Sequence, residues 1–246
     1  MLEIKKLSKT YNKGKKAVDN LSLHIEKGEI YGFIGRNGAG KTTTIRCIIG
    51  ALNFDEGEIL IDGISIKDDP VSTKKLLAYI PDNPNLYGFL TGIQYINFIA
   101  DVFEVKQDER KDRVKKYADK LELTNSLEDL ISSYSHGMKQ KLAIIAAVVH
   151  KPKLLILDEP FVGLDPVATL ALREVMHELC DEGTAIFFST HVLEVAEKLC
   201  DKIAIIKSGE LVANGTVKEV CQDKSLSNLF MELTEKVSED ENNNNS

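Results

Sequence analysis

The sequence predicts an α/β fold with a largely parallel sheet and a block of helices set into it. Three observations predict it. Short apolar runs alternate with helical stretches over both ends of the chain, the order that makes parallel strands with helices on their faces. A glycine-rich loop separates the apolar run at 30–34 from a helix. From residue 91 to about 150 helical spacing replaces strand signals almost completely.

The elements follow in order. The opening Met-Leu-Glu-Ile-Lys-Lys alternates like a strand and lacks the apolar core of a secretory leader. Leu21, Leu23 and Ile25 alternate with polar residues, as in a half-buried strand, before Lys27-Gly28-Glu29 turns the chain. After the strand at 30–34, residues 42–49 turn helical and Gly50 stops them. Strands at 58–61 and 64–66 flank Asp62-Gly63, a two-residue hairpin signal, and a strand at 77–80 is halted by Pro81 and Pro84.

In the helical block, Thr91 caps a helix whose apolar face holds Ile93, Ile96, Ile99, Ala100 and Phe103. The face with Phe98 and Phe103 reads as core. Residues 108–123 carry Val114, Tyr117, Ala118 and Leu121 at helical spacing, and Ser135 caps a third helix through Val149. Strands return at 154–157 and 184–188, with a helix opened by Asp165-Pro166 between them. Strands at 203–206 and 211–213 flank the turn Ser208-Gly209, and the acidic, asparagine-rich tail from Ser238 reads as disordered.

Composition narrows the function. A net charge of −7 with no long basic run disfavours nucleic acid as a partner; Lys13, Lys15 and Lys16 make only a small loop cluster. The apolar stretch 142–149 is too short to span a bilayer, so a cytoplasmic chain is expected. Cys47, Cys180, Cys200 and Cys221 lie far apart, and reduced, buried thiols are the default.

Chemistry enters with Gly35-Arg36-Asn37-Gly38-Ala39-Gly40-Lys41-Thr42, which matches G-x-x-x-x-G-K-[ST] between a strand and a helix. The glycines let backbone N–H groups turn inward on phosphate oxygens, and the helix N-terminus favours the anion. Lys41 reaches the outer phosphates, and the Thr42 hydroxyl is placed to ligate Mg²⁺. The strand at 154–157 ends in Asp158-Glu159. Alone, such a pair is an ordinary solvated strand end. Beside a phosphate loop, Asp158 reads as holding Mg²⁺ and Glu159 as the base that polarises the attacking water.

Many ATPases and GTPases share those two motifs. Further along, Tyr134-Ser135-His136-Gly137-Met138-Lys139-Gln140 resembles the signature of the ATP-binding cassette (ABC) family, usually Leu-Ser-Gly-Gly-Gln. Gly163-Leu164-Asp165 looks like the family's D-loop, His191 sits where its switch histidine is expected, and Tyr11 looks like the aromatic that stacks on adenine.

The resemblance covers about residues 1–222. It implies a P-loop NTPase (RecA-like) core at 1–84 and 151–222 with an antiparallel β subdomain, and a helical insert at 85–150. A carboxyl-terminal extension at 223–246 follows. It also implies an ATPase that closes head to tail with a second nucleotide-binding subunit, identical or not, around two ATP with Mg²⁺. Tyr11 and residues Gly35, Arg36, Asn37, Gly38, Ala39, Gly40, Lys41, Thr42 and Thr43 would hold ATP in one subunit, with His191 on the γ-phosphate. Ser135, His136, Gly137 and Met138 of the other would cap it, and Asp165 would cross the interface. Independently of the family, Ser135 begins a helix, whose free N–H groups make a second anion site. An integral-membrane permease would be the transport partner, with this chain peripheral on the inner face of the membrane. The motif wording looks most like exporter-type cassettes.

Two positions depart from the pattern. Asp82 stands where the family has glutamine, and a carboxylate there still faces Mg²⁺ or water. His136 and Met138 replace a glycine and a glutamine; a protonated His136 would add positive charge near the γ-phosphate, and Met138 cannot donate as an amide does. These departures keep a weakly catalytic regulatory subunit, and a non-transport ABC ATPase, as alternatives.

Overall fold

In the computed structural model residues 1–11 and 14–235 are described, with only the backbone at 235. Lys13 and the acidic tail lie outside the described residues. Strands β1 (Leu2–Thr10), β2 (Lys16–Ile25) and β3 (Ile30–Ile34) open the chain, and helix α1 (Lys41–Ile48) follows β3. Next come β4 (Glu56–Ile61), β5 (Ile64–Ser65), α2 (Pro70–Leu76) and β6 (Leu77–Ile80). The helical block is α3 (Gly92–Val102), α4 (Gln107–Lys120) and α5 (His136–Val148). Alternation then resumes with β7 (Leu154–Asp158), α6 (Pro166–Asp181), β8 (Ala185–Thr190) and α7 (Leu193–Leu199). β9 (Lys202–Lys207), β10 (Glu210–Thr216), α8 (Val217–Cys221) and α9 (Leu226–Glu235) complete the order.

Two sheets result. One is antiparallel in the order β2-β1-β4-β5, and the other runs β10-β9-β3-β8-β7-β6. In the second, β9, β3, β8, β7 and β6 are parallel and only β10 at the edge is antiparallel. β3, β7 and β8 are buried along their whole length, which is why they read as unbroken apolar runs rather than alternating ones.

The pleat sorts the parallel strands' side chains to opposite faces of the sheet. Ile30, Ile80, Leu155, Leu157, Ile186 and Phe188 face the helical block and share one apolar cluster with Ile96, Tyr117, Leu142 and Ile145. Tyr31, Phe33, Ile156, Phe187 and Ile206 face the other way, against Ile45 and Ile48 of α1 and the antiparallel sheet. The inserted helices therefore share the sheet's core instead of building their own.

Local signals hold most helix starts. Thr91 and Gln94 form a reciprocal capping box on α3, and Asp165 accepts from Ala168 N–H ahead of Pro166 on α6. Phe98 corrects the sequence reading. It lies two residues, about 200°, from Ile96 around α3, and is 45% exposed in a surface aromatic group with Tyr87. Phe103 is half-buried and stacks on His150 at 3.7 Å between centroids. At the carboxyl end, Leu226, Leu229, Phe230 and Leu233 seat α9 against Ile203, Ile205 and Ala196.

Candidate functional site

Parallel strands deliver their carboxyl ends to one edge of the sheet, where α/β folds bind ligands. Here Ser208, Gly35, His191, Glu159 and Asp82 follow β9, β3, β8, β7 and β6 on that edge. The five come from distant parts of the chain, and the sheet order alone brings them together.

The phosphate loop wraps the mouth of β3. Gly40 is the N-cap of α1, with φ of 116° that an L side chain rarely adopts, and no side chain caps the helix. Its first-turn N–H groups are thus left for an anion. Lys41 is buried; its Nζ donates to the Gly35 carbonyl at 2.7 Å and lies 3.4 Å from Glu159 Oε1. Thr42 Oγ1 donates to Asp158 Oδ2 at 3.1 Å, and Ser189 Oγ donates to the other carboxylate oxygen. Asp158 is buried, so these hydroxyls replace the water its charge would otherwise require.

Glu159 sits at φ 51°, a left-handed backbone uncommon for a residue with a side chain. Its N–H donates to both Ser189 oxygens at 3.1 Å, which fixes that geometry. Its Oε2 accepts from His191 N–H at 3.2 Å and lies 2.9 Å from His191 Nδ1. One carboxylate is therefore shared between Lys41 and His191. The described contact of His191 is with Glu159.

These groups open on a cleft of about 550 Å³. Tyr11 lines it with its hydroxyl 3.4 Å from Thr43 Oγ1, as do Arg36, Asn37, Gly38, Gly40, Lys41, Thr42, Thr43, Asp82, Asp158 and Glu159. Gly35 contributes its carbonyl to Lys41, and Ala39 lies behind the loop. Sequence reasoning missed Lys15, Lys16, Ala17 and Ser208, which also line the cleft. The lysine cluster near Tyr11 was a usable signal for Lys15 and Lys16.

Ser135, His136, Gly137, Met138, Asp165 and His191 do not line this cleft. Ser135 Oγ accepts from Met138 N–H at 3.2 Å as the N-cap of α5. The His136 ring packs on Gly163: a Cβ there would lie 2.6 Å from His136 Cδ2 and displace the ring, and φ of 80° favours glycine. The signature-like segment and the Gly163-Leu164-Asp165 turn thus touch within one chain. Asp165 Oδ1 accepts from Ala168 N–H at 2.8 Å, which holds its carboxyl below the ordinary range.

With this geometry in place, residues 18–162 match the family described as ABC transporter. The chain belongs to the ABC transporter family. The ABC-type transporter ATP-binding protein EcsA of Bacillus subtilis (strain 168) is 36% identical over 239 residues, covering 95% of this chain and 96% of its own. The linearmycin resistance ATP-binding protein LnrL of the same organism is 36% identical over 221 residues, 90% of this chain and 71% of its own. Among solved structures, an ATP-binding subunit of an ABC transporter superposes with TM-score 0.91 at 36% identity, covering 95% of this chain and 99% of that one. Part of the ABC transporter complex cbiONQ, cbiO1 from Clostridium perfringens, gives TM-score 0.80 at 26% identity over 94% of each chain. This member of the ABC transporter family is an ATP-binding subunit and an ATPase. Among its described residues no helix is long and apolar enough to cross a membrane.

Proposed function

We propose that the cleft at the carboxyl edge of the parallel sheet is where this ATPase binds and hydrolyses ATP, in a cassette spanning residues 1–222. The observation that carries the reading is the convergence of Lys41, Thr42, Asp158 and Glu159, with His191 on Glu159. Tyr11 offers a ring to the adenine. The uncapped N–H groups of α1 and the Lys41 ammonium take the phosphates.

Water attacks the γ-phosphorus, the bond to the β-phosphate oxygen breaks, and ADP leaves. Glu159 takes the proton of the attacking water and returns it to the released phosphate. His191 holds that carboxylate at the angle the water needs. Mg²⁺ fits the donor set: Thr42 and Asp158 present adjacent hard oxygens, and Asp82 lines the same wall. Among the described residues no three His, Cys, Asp or Glu side chains converge as a metal cage. The ion would therefore rely on phosphate and water oxygens for its remaining ligands, as Mg²⁺ does in such sites. Bound there, Mg²⁺ neutralises charge that develops on the phosphates.

Ser135, Gly137 and the α5 N-terminus lie outside the cleft, which suits a role on the nucleotide of a second subunit. Closure of such a pair depends on the γ-phosphate, and that difference in affinity is what lets ATP shift a conformational equilibrium. A separate membrane permease would dock on the helical block, placing the chain on the inner face of the membrane. An apolar groove of about 380 Å³, lined by Tyr79, Pro81, Leu86 and Tyr95, supports this. The neighbouring Tyr87, Phe89 and Phe98 are exposed as an aromatic group. Asp82 sits between that groove and the cleft and would couple them. Export is the preferred direction, in keeping with a relative named for linearmycin resistance.

Glu159→Gln tests the reading. The variant should bind Mg-ATP, form a persistent dimer by analytical ultracentrifugation and release phosphate at a small fraction of the native rate. Native turnover in Glu159→Gln would remove Glu159 from its role, and a monomer at saturating Mg-ATP would remove the paired site.

A further inference from the structure

The phosphate-loop chemistry makes no use of the carboxyl-terminal helix, and the structure nevertheless fastens α9 to the cleft from two sides. On one side, Lys207 Nζ donates to the Leu233 carbonyl at 2.9 Å and to the Thr234 carbonyl at 3.1 Å. These two bonds tie α9 to the end of β9. Lys207 is the last residue of β9 and begins the hairpin turn with Ser208 and Gly209. That turn belongs to the cleft. Ser208 lines it, Gly209 N–H donates to the Ala39 carbonyl at 2.9 Å, and the Gly209 carbonyl accepts from Asp19 N–H at 2.9 Å. Leu233 and Thr234 of α9 are thus bonded to a lysine one residue from the wall of the nucleotide cleft and two from a hydrogen bond to the phosphate loop itself. A cavity of about 390 Å³ marks the junction, with Arg36 and Asn37 on the loop side and Thr234 on the helix side.

On the other side, α9 packs on α7. Leu229 and Phe230 share an apolar cluster with Leu193 and Ala196. α7 begins two residues after His191, which holds Glu159. A single helix therefore buttresses the phosphate loop through Lys207 and the His191 segment through α7.

We infer that α9 is a brace for the nucleotide cleft and that Lys207 is a positioning residue for ATP binding, acting through α9 and not by touching the nucleotide. The inference rests on the cleft being the ATP site. Because Lys207 is the tie to the phosphate loop, and α7 the separate tie to the His191 segment, Lys207 acts on ground-state binding. Its loss should raise Kd and KM together and leave kcat nearly unchanged.

Titration calorimetry of the full chain with Mg-ATP tests this, alongside steady-state phosphate release and hydrogen exchange of the amides at 36–43. Lys207→Met removes both bonds to α9 and should raise Kd about three- to tenfold, with kcat held within about twofold. Lys207→Arg, which can still donate to both carbonyls, should return Kd to within about twofold of native. Phe230→Ala loosens the helix and leaves the Lys207 charge in place, and it should raise Kd by a similar factor. Exchange at 36–43 should quicken in Lys207→Met and in Phe230→Ala. A native Kd in Lys207→Met overturns the inference. So does a raised Kd in Lys207→Met beside a native Kd in Phe230→Ala, because the lysine would then act by its own charge. Failure of the site assignment reads differently: Lys41→Ala would bind ATP as the native chain does, and the brace would fall with it.

Discussion

The chain presents two helix N-termini suited to phosphate, and they are built in opposite ways. At α1 the cap is Gly40, no side chain satisfies the first-turn N–H groups, and buried Lys41 supplies a cation beside them. At α5 the Ser135 hydroxyl already accepts the Met138 N–H, and no lysine occupies the equivalent place. The first end is complete within one chain. The second offers a hydroxyl that can still donate, which on the proposed reading would add contacts to an anion held elsewhere. On the proposed reading a free N–H set with a buried cation would capture phosphate, and a capped end would discriminate among phosphates already captured.

The comparison breaks most visibly at the α1 end. Lys41→Ala removes the cation and leaves Glu159 beside an emptied pocket wall. We expect ATP affinity to fall by about a hundredfold or more and phosphate release to reach background, read by calorimetry and a phosphate assay. Retention of tight binding in this variant would mean that the backbone N–H groups suffice.

Ser135→Ala sharpens the contrast from the other end. It should cost about 1 kcal/mol of stability through the lost cap. ATP affinity of the isolated subunit should stay within about twofold, and ATP-driven dimerisation in the Glu159→Gln background should weaken about tenfold. Urea unfolding and sedimentation check the two parts separately. A fall in monomer affinity matching the fall in dimerisation would erase the distinction between the two ends.

A separate, pH-dependent effect belongs to His150, just beyond the far end of α5. Burial is the main force pushing its imidazole down to about 4, Arg113 adds to this, and the Leu77 backbone partly opposes it; neither ring nitrogen has a well-placed hydrogen-bond partner. The folded chain keeps the ring neutral where the unfolded chain protonates near 6.5. Its contribution is therefore present above pH 6.5 and is lost as pH falls from 6.5 toward 4, on the order of 3 kcal/mol in all. Urea unfolding of native and His150→Gln protein at pH 7 and 5 measures it. Equal pH slopes would show that acid does not single out the α5 end.

Much of this was legible in the residues because the signals are local. The phosphate loop, the acidic pair after an apolar strand, the Thr91, Ser135 and Asp165 caps and the Asp62-Gly63 turn each depend on a few neighbouring residues. What escaped depends on contacts distant in sequence. Ser208 lines the cleft only because β9 lies beside β3, and no local pattern says so. Lys15 and Lys16 were visible as a basic cluster, and their place on the cleft wall was not. α7 and α8 are too short for a helical period to stand out. The spacing Leu226, Leu229, Phe230, Leu233 does mark an amphipathic helix, and the acidic tail beyond it drew that stretch into the extension. Phe98 misled because one aromatic two positions from a buried isoleucine was assigned to its face.

The pairing of Lys41 with Glu159 carries one more consequence. The lysine cannot fully satisfy a triphosphate and that carboxylate at once. On the proposed reading, an arriving nucleotide would draw the ammonium away from the carboxylate assigned to accept a proton. Substrate entry would then release Glu159 from its ion pair at the moment a proton has to be accepted.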